Sequence, residues 1–318
     1  SVNSRTLIHD FKITGWTTFC AKYKLCVNLQ IMMFLICFNI STSKQDIIDA
    51  LTDFVNAVTS DKYCVSQPEL INNNVVAFLF TGQGAQYFGM CKDYYNTFEV
   101  FKNAIDACDE QLLPNLSCSI KDILWNEQQD KNLIHQTKYT QPALFVVEYA
   151  MAKLWMSFGV QPTALIGHSI GEIVALTIAN AIHLNDAIKI VLARAALMNA
   201  LPQHEGSMAS VFCNEETLSP FLQQSNVDLA AVNSLKNCTI SGKKDDVATL
   251  IVKLQEQGIK AIALNVSHAF HSYLMEPMLE KFTQFVNQFS FKQPVIPVVS
   301  NLTGEEINHT DLSAVYFA

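Results

Sequence analysis

TALIGHSIGEIVALTIANAI, residues 163–182, changes its hydrophobic rhythm in the middle. The short apolar run Thr163 to Ile166 ends in Gly167-His168-Ser169-Ile170-Gly171, and the residues that follow repeat their apolar positions at helical spacing. The order is strand, sharp turn, helix. The pentapeptide matches G-x-S-x-G, the nucleophile elbow, in which flanking glycines let a serine sit on a strained strand-to-helix turn with its hydroxyl exposed. The helix that begins there aims its N-terminal amides at that hydroxyl, so the backbone N–H of Ile170 is placed to bind a developing oxyanion.

Working outward, Val75 to Phe80 (VVAFLF) is a second apolar run, closed by the turn TGQG, and reads as a fully buried strand. Helical patterns at Tyr94 to Cys108 and Ala143 to Phe158 lie between the two strands, and PVIPVVSNLTG (294–304) supplies another strand and turn. Strands alternating with helices predict an α/β fold, a parallel sheet with helices on both faces. Gly206 to Ser267 has a different rhythm: strand SMASVFC, helix EETLSPFLQQ, strands VDLAAVNS and NCTISG, helix DDVATLIVKLQEQG and strand IKAIALNVS. This βαββαβ order is ferredoxin-like. It interrupts the α/β region, so it is expected to form an inserted small subdomain, with Gly258 capping its second helix and a ligand groove between the two lobes.

Composition removes several function classes. Lys plus Arg number 21 against 29 Asp plus Glu, a formal charge of −8, and no basic run is interleaved with aromatics, which excludes nucleic acid as the expected partner. The nine cysteines are odd in number and form no CxxC or Cys/His cluster, which predicts free thiols in a reducing cytoplasm and no metal site. Cys26 to Ile40 (CVNLQIMMFLICFNI) is mostly apolar but shorter than the roughly 20 residues that span a membrane, and polar residues interrupt it. It reads as a buried strand, with a helix starting at Ser41 to Asp46. Membrane association is not expected.

A serine hydroxyl is too weakly acidic to attack a carbonyl carbon unaided, so a base must lie within hydrogen-bond reach. Of the eight histidines, His268 and His271 lie in a loop-like stretch returning from the small subdomain, and the residues alone do not choose between them. Arg194, 25 residues after the serine, sits in the apolar helix AIKIVLARAALM with no evident carboxylate partner.

Thr81-Gly-Gln-Gly-Ala-Gln86, Gly167-His-Ser-Ile-Gly-Glu172, Arg194 and Ser267-His-Ala-Phe-His-Ser-Tyr-Leu-Met-Glu-Pro277 together resemble the malonyl-CoA:acyl-carrier-protein transacylases and the acyltransferase domains of polyketide and fatty acid synthases. The likeness runs from about Val75 to Gly304. It implies an α/β-hydrolase-like parallel-sheet large subdomain (75–205 and 268–318), the ferredoxin-like small subdomain (206–267), and a segment 1–74 similar to a ketosynthase–acyltransferase linker. The same likeness implies that the chain stops before a final helix and strand.

Carried over position by position, the resemblance makes Ser169 the nucleophile and His271 its base, with no catalytic role for His268. Gln83 and Ile170 supply the oxyanion hole, and Arg194 clamps the free carboxylate of a malonyl group. Phe270, His168 and Asn301 complete the substrate side, Asn301 as a neighbour of His271. Ile170 and Phe270 resemble the malonyl-selective variants, since a phenyl ring leaves little space for an α-methyl group. The implied reaction moves malonyl from coenzyme A to the phosphopantetheine thiol of an acyl carrier protein, through an ester on Ser169. No cofactor is bound to the chain itself. Malonyl-CoA, the carrier protein and other synthase domains, a ketosynthase among them, are the expected partners. The rivals are a serine hydrolase such as a thioesterase, and an inactive scaffold fragment of a synthase.

Overall fold

The computed structural model describes residues 76–318 except 204 and 265, the strand residues 28–31, 34–38 and 63–66, and scattered positions between 45 and 58. The chain divides into two compact units, Ser1–Asn74 and Val75–Ala318. In the first, β1 (Asn28–Ile31) pairs antiparallel with β2 (Phe34–Phe38), which pairs antiparallel with β3 (Tyr63–Ser66). The described residues of the apolar run from Cys26 to Ile40 therefore form two antiparallel strands and not one. No glycine or proline marks its reversal, and hydropathy carries no other turn signal. Gln45, Ile48, Asp49, Thr52 and Asp53 are helical, within the stretch read as a helix. Among the described residues no helix is long and apolar enough to cross a membrane.

In the second unit, β4 (Ala77–Phe80) leads through α1 (Lys92–Thr97), α2 (Glu99–Leu112), α3 (Ile120–Trp125) and α4 (Thr137–Ser157) to β5 (Ala164–Gly167). Then come α5 (Ile170–Ile178) and α6 (Leu184–Asn199). After the small subdomain the chain returns through α9 (Glu276–Val286) and β10 (Val298–Val299). The helical pattern read across Tyr94 to Cys108 is broken at Phe98, whose backbone is extended and whose ring packs on Tyr94 and Phe158. Helix α4 is buried on almost every side, and with Phe101, Ile105, Leu124 and Leu165 it forms the main core. Each such side chain contributes roughly 1.5–3 kcal/mol by leaving water.

The parallel sheet has the order β10-β5-β4. Its faces differ. Phe80, Leu165 and Val298 point into the core, whereas Leu79 is 74% exposed and Ile166, its register partner, 39%. VVAFLF was expected to be a fully buried strand, but Ala77 and Leu79 are exposed in this chain. Apolar residues on both sides of a strand are what a doubly covered parallel sheet requires, but the run does not say whether a second layer is there.

The inserted subdomain is β6 (Gly206–Val211), α7 (Glu215–Leu222), β7 (Val227–Ser234), β8 (Asn237–Lys243), α8 (Lys244–Glu256) and β9 (Ala261–Leu264). Its sheet is antiparallel in the order β7-β8-β6-β9, the βαββαβ arrangement expected. Ala209, Val211, Cys238 and Ile240 pack with Leu218, Val247, Leu250 and Leu254 into a separate small core. The alternate residues Met208 and Thr239 face the other way, into a cavity. Gly258 ends α8 in a left-handed conformation (φ 75°), and the N–H of Ile259 reaches back to the carbonyl of Leu254.

Candidate active site

The elbow between β5 and α5 depends on close backbone approach. A Cβ on Gly167 would lie 2.1 Å from the Gly171 carbonyl carbon, and one on Gly171 would lie 2.6 Å from the Phe80 carbonyl oxygen. Only hydrogen fits at either place. The packing holds Ser169 at φ 54°, ψ −109°, a conformation that costs about 1–3 kcal/mol and persists because its surroundings impose it.

Two side chains meet the Ser169 hydroxyl. Arg194, from the middle of α6, donates through Nη2 to Oγ at 3.0 Å. His271 places Nε2 3.1 Å from the same oxygen. Because the guanidinium can only donate, it occupies a lone pair of Oγ, and the hydroxyl proton is left to point at His271 Nε2. His271 accepts that proton only as the tautomer protonated on Nδ1. It too has a positive φ, 56°. Enclosure in the groove, then the charges of Arg194 and His168, push its pKa down to about 4, so the ring is neutral at ordinary pH.

Arg194 is 9% exposed, and among the described residues no carboxylate lies within 4 Å of it. Burial pulls its pKa down to about 10 against the upward pull of Glu172, so it remains charged at neutral pH. A buried cation with no salt-bridge partner has an unmet need for an anion.

The facing turn Thr81–Gly84 carries Gln83. Neither the backbone N–H of Gln83 nor that of Ile170 donates to an acceptor within the described part of the chain. The Gln83 side chain donates to Thr137 Oγ1 at 3.3 Å, and Thr137 contacts Ser267 Oγ at the head of the histidine loop. That loop is seated on the small subdomain. Ala269 presses so closely on Gly206 that a Cβ there would be 2.5 Å away, and the Tyr273 N–H donates to Asp228 of β7 at 2.8 Å.

Gln83, His168, Ser169, Ile170, Arg194, Phe270 and His271 all line one cavity of about 490 Å³ between the two lobes. Met208, Thr239 and Leu264 of the small sheet close its other side. His268, by contrast, is buried at 2% and held between Ser267 Oγ and the Leu201 carbonyl, away from Ser169. Asn301 is placed differently from expectation. Its amide donates to the Gly167 carbonyl and its backbone N–H to Glu172, so it lies behind the elbow and not beside His271. Residues 300–304 turn back toward α5 there, with Ser300 Oγ accepting the N–H groups of Leu302 and Thr303.

Three polar residues at the site went unread in the sequence. Glu148 of α4 accepts both the backbone N–H and the hydroxyl of Thr81 on one oxygen and so anchors the Gln83 turn. Its other oxygen is buried without a partner, and burial pushes its pKa up to about 7. A signal was present: it is the one charged residue between Tyr139 and Ala152. Gln141, 1% exposed, lines the cavity with its amide nitrogen on Met198 Sδ and its carbonyl unpaired. His135, at the cavity wall, meets Gln86, which in turn accepts the Gly84 N–H.

Residues 77–318 match the family model described as the acyl transferase domain. A phenolphthiocerol synthesis polyketide synthase type I, Pks15/1, of Mycobacterium marinum is 39% identical over 229 residues, 72% of this chain but 11% of that protein. The chain thus spans about a tenth of the length of that relative. Among solved structures, the acyltransferase domain from the second module of the salinomycin polyketide synthase superposes with a TM-score of 0.81 at 33% identity, covering 95% of this chain and 68% of that one. The malonyl CoA-acyl carrier protein transacylase of Clostridium perfringens gives 0.71 at 29% identity, covering 76% and 77%. The chain belongs to the acyltransferase domain family that polyketide synthases share with the malonyl CoA-acyl carrier protein transacylases.

Proposed function

We propose that this domain moves a malonyl group from coenzyme A to the phosphopantetheine thiol of an acyl carrier protein, with Ser169 as the intermediate acyl carrier. The observation that carries the reading is Arg194: a buried, charged guanidinium that among the described residues has no carboxylate partner and whose one hydrogen bond there is to the serine hydroxyl. A carboxylated acyl group answers that charge in a bidentate pair and brings its thioester carbonyl over Ser169 Oγ. A neutral acyl group would leave the cation buried and alone.

His271 Nε2 takes the Ser169 proton as Oγ attacks the thioester carbon. The N–H groups of Gln83 and Ile170 receive the tetrahedral oxyanion, each such donor being worth around 3 kcal/mol of barrier. The carbon–sulfur bond breaks, the proton on His271 passes to the departing thiolate, and coenzyme A leaves. The carrier thiol then gives its proton to His271, attacks the ester carbonyl, and returns the proton to Oγ as the ester bond breaks. Other domains of a synthase would supply the carrier. The relatives named for malonyl transfer support the choice of acyl group.

Intact-mass measurement after adding malonyl-CoA tests the reading. One malonyl adduct is expected on the wild type and none on Ser169→Ala. Release of free malonate with no transfer to a carrier protein would instead identify a hydrolase, and no adduct on folded wild type would leave a scaffold.

A further inference from the structure

Behind the elbow, on the side away from the cavity, a second set of polar contacts converges on Glu172, the third residue after the serine. Tyr316 donates its hydroxyl to Glu172 Oε1 at 2.5 Å, and the Asn301 backbone N–H reaches the same oxygen at 3.1 Å. Ser300 Oγ lies 2.7 Å from the Tyr316 oxygen. Since the phenol proton is committed to the carboxylate, it is Ser300 that donates to the phenol. Ser300 is itself 4% exposed, and its backbone N–H is held by the Glu305 carbonyl at 2.8 Å. The Asn301 side chain completes the set on the Gly167 carbonyl, the last peptide of β5 before the turn.

Both ends of the strained turn are therefore gripped by one segment, residues 300–316. Asn301 holds its entry at Gly167, and Tyr316 with the Asn301 N–H holds its exit at Glu172. The close Gly167–Gly171 approach and the Gly171 N–H bond to the His168 carbonyl bend the turn, but a hydroxyl that must stay about 3 Å from both Arg194 and His271 tolerates little rotation of the turn as a whole.

We infer that Tyr316, acting through Glu172 and alongside Asn301, is a positioning residue that holds the nucleophile elbow in its reactive geometry. The brace touches neither substrate nor the reacting atoms. Its role rests on Ser169 being the nucleophile, but its test separates from the malonyl reading.

Single-turnover acylation by malonyl-CoA, followed by rapid-quench intact mass, gives a rate constant and an amplitude. Tyr316→Phe is expected to lower the rate constant roughly five- to tenfold at unchanged amplitude, the size of one lost hydrogen bond. Glu172→Ala is expected to be slower still. Glu172→Gln, which keeps an acceptor oxygen for Tyr316 and Asn301, recovers most of the rate that Glu172→Ala loses. A fluorophosphonate that labels Ser169 supplies a parallel rate needing neither malonyl nor carrier, so the brace is tested even where malonyl-CoA gives no adduct. Rate constants equal to wild type for Tyr316→Phe, or lost amplitude at a wild-type rate constant, would overturn the inference. A Glu172→Gln protein as slow as Glu172→Ala would also overturn it, since charge and not the hydrogen bond would then be at work.

Discussion

The two walls of the groove are built on opposite plans. The large-subdomain wall sets Ser169, Arg194 and the Gln83 turn on segments that meet only through long-range contacts, with a backbone bent to positive φ at the serine. The small-subdomain wall is one face of a regular antiparallel sheet, where Met208, Thr239 and Leu264 project simply because they alternate with residues of a separate core. Strain and buried charge sit on the first wall and plain shape on the second. The comparison teaches that reactivity here depends on tertiary bracing, while the sheet face is free to vary the space available to the acyl chain.

The largest test of that division is to remove the proposed base. His271→Ala should lower the acylation rate by about 10³-fold with an unchanged melting temperature, whereas Met208→Ala on the opposite wall should alter it by less than about tenfold. Equal losses from both would erase the distinction between the walls. Next in size is Arg194→Ala, which should reduce the preference for malonyl-CoA over acetyl-CoA, measured as a ratio of kcat/KM values, by roughly 30- to 100-fold. An unchanged ratio would take the clamp out of the account.

The acid limb of the acylation pH profile sharpens the comparison further. His271 is pushed down to about 4, yet the residue is exposed in the groove, so the limb should fall between about 4 and 6 and below the ordinary histidine value near 6.5. Arg194→Ala should move it upward by removing a neighbouring positive charge. A limb at 6.5 or above in the wild type would mean the groove does not desolvate the ring.

The smallest effect is expected at Glu148. Its folded-state pKa is raised to about 7, so between pH 4.5 and 7 the folded chain binds more protons than the unfolded one, and stability falls as pH rises through that window. The two hydrogen bonds that Thr81 gives to Glu148 Oε1 offset part of the cost of burying the charge. Glu148→Gln keeps an acceptor for Thr81 and should gain roughly 1 kcal/mol at pH 8 and almost nothing at pH 4, read as the difference in melting temperature at the two pH values. The same difference at both would show that the carboxylate is not buried in its charged form.

How much of this was legible depended on the range of the interaction. The βαββαβ order and the Gly258 cap follow from rules that act over two to four residues, and they appear in the structure where the pattern placed them. The reversal between β1 and β2 lacked a glycine or proline to announce it. Asn301 was expected near His271 because nothing in SNLTG says which way the turn folds, and the turn closes toward α5. Glu148 was visible as a lone charge in an apolar helix, but its partner Thr81 is 67 residues away.

By itself the sequence determined the local chemistry of this domain: the glycine-flanked serine, the α/β alternation, the inserted subdomain and the family likeness. Each is set by steric limits or hydrophobic periodicity within a short stretch. Tertiary structure alone decided that Arg194, 25 residues away, and His271, 102 residues away, meet on a single oxygen, and that a tyrosine 144 residues beyond Glu172 grips the elbow from behind. Contacts of about 3 Å between distant segments depend on how the whole core packs, and no local pattern encodes that distance.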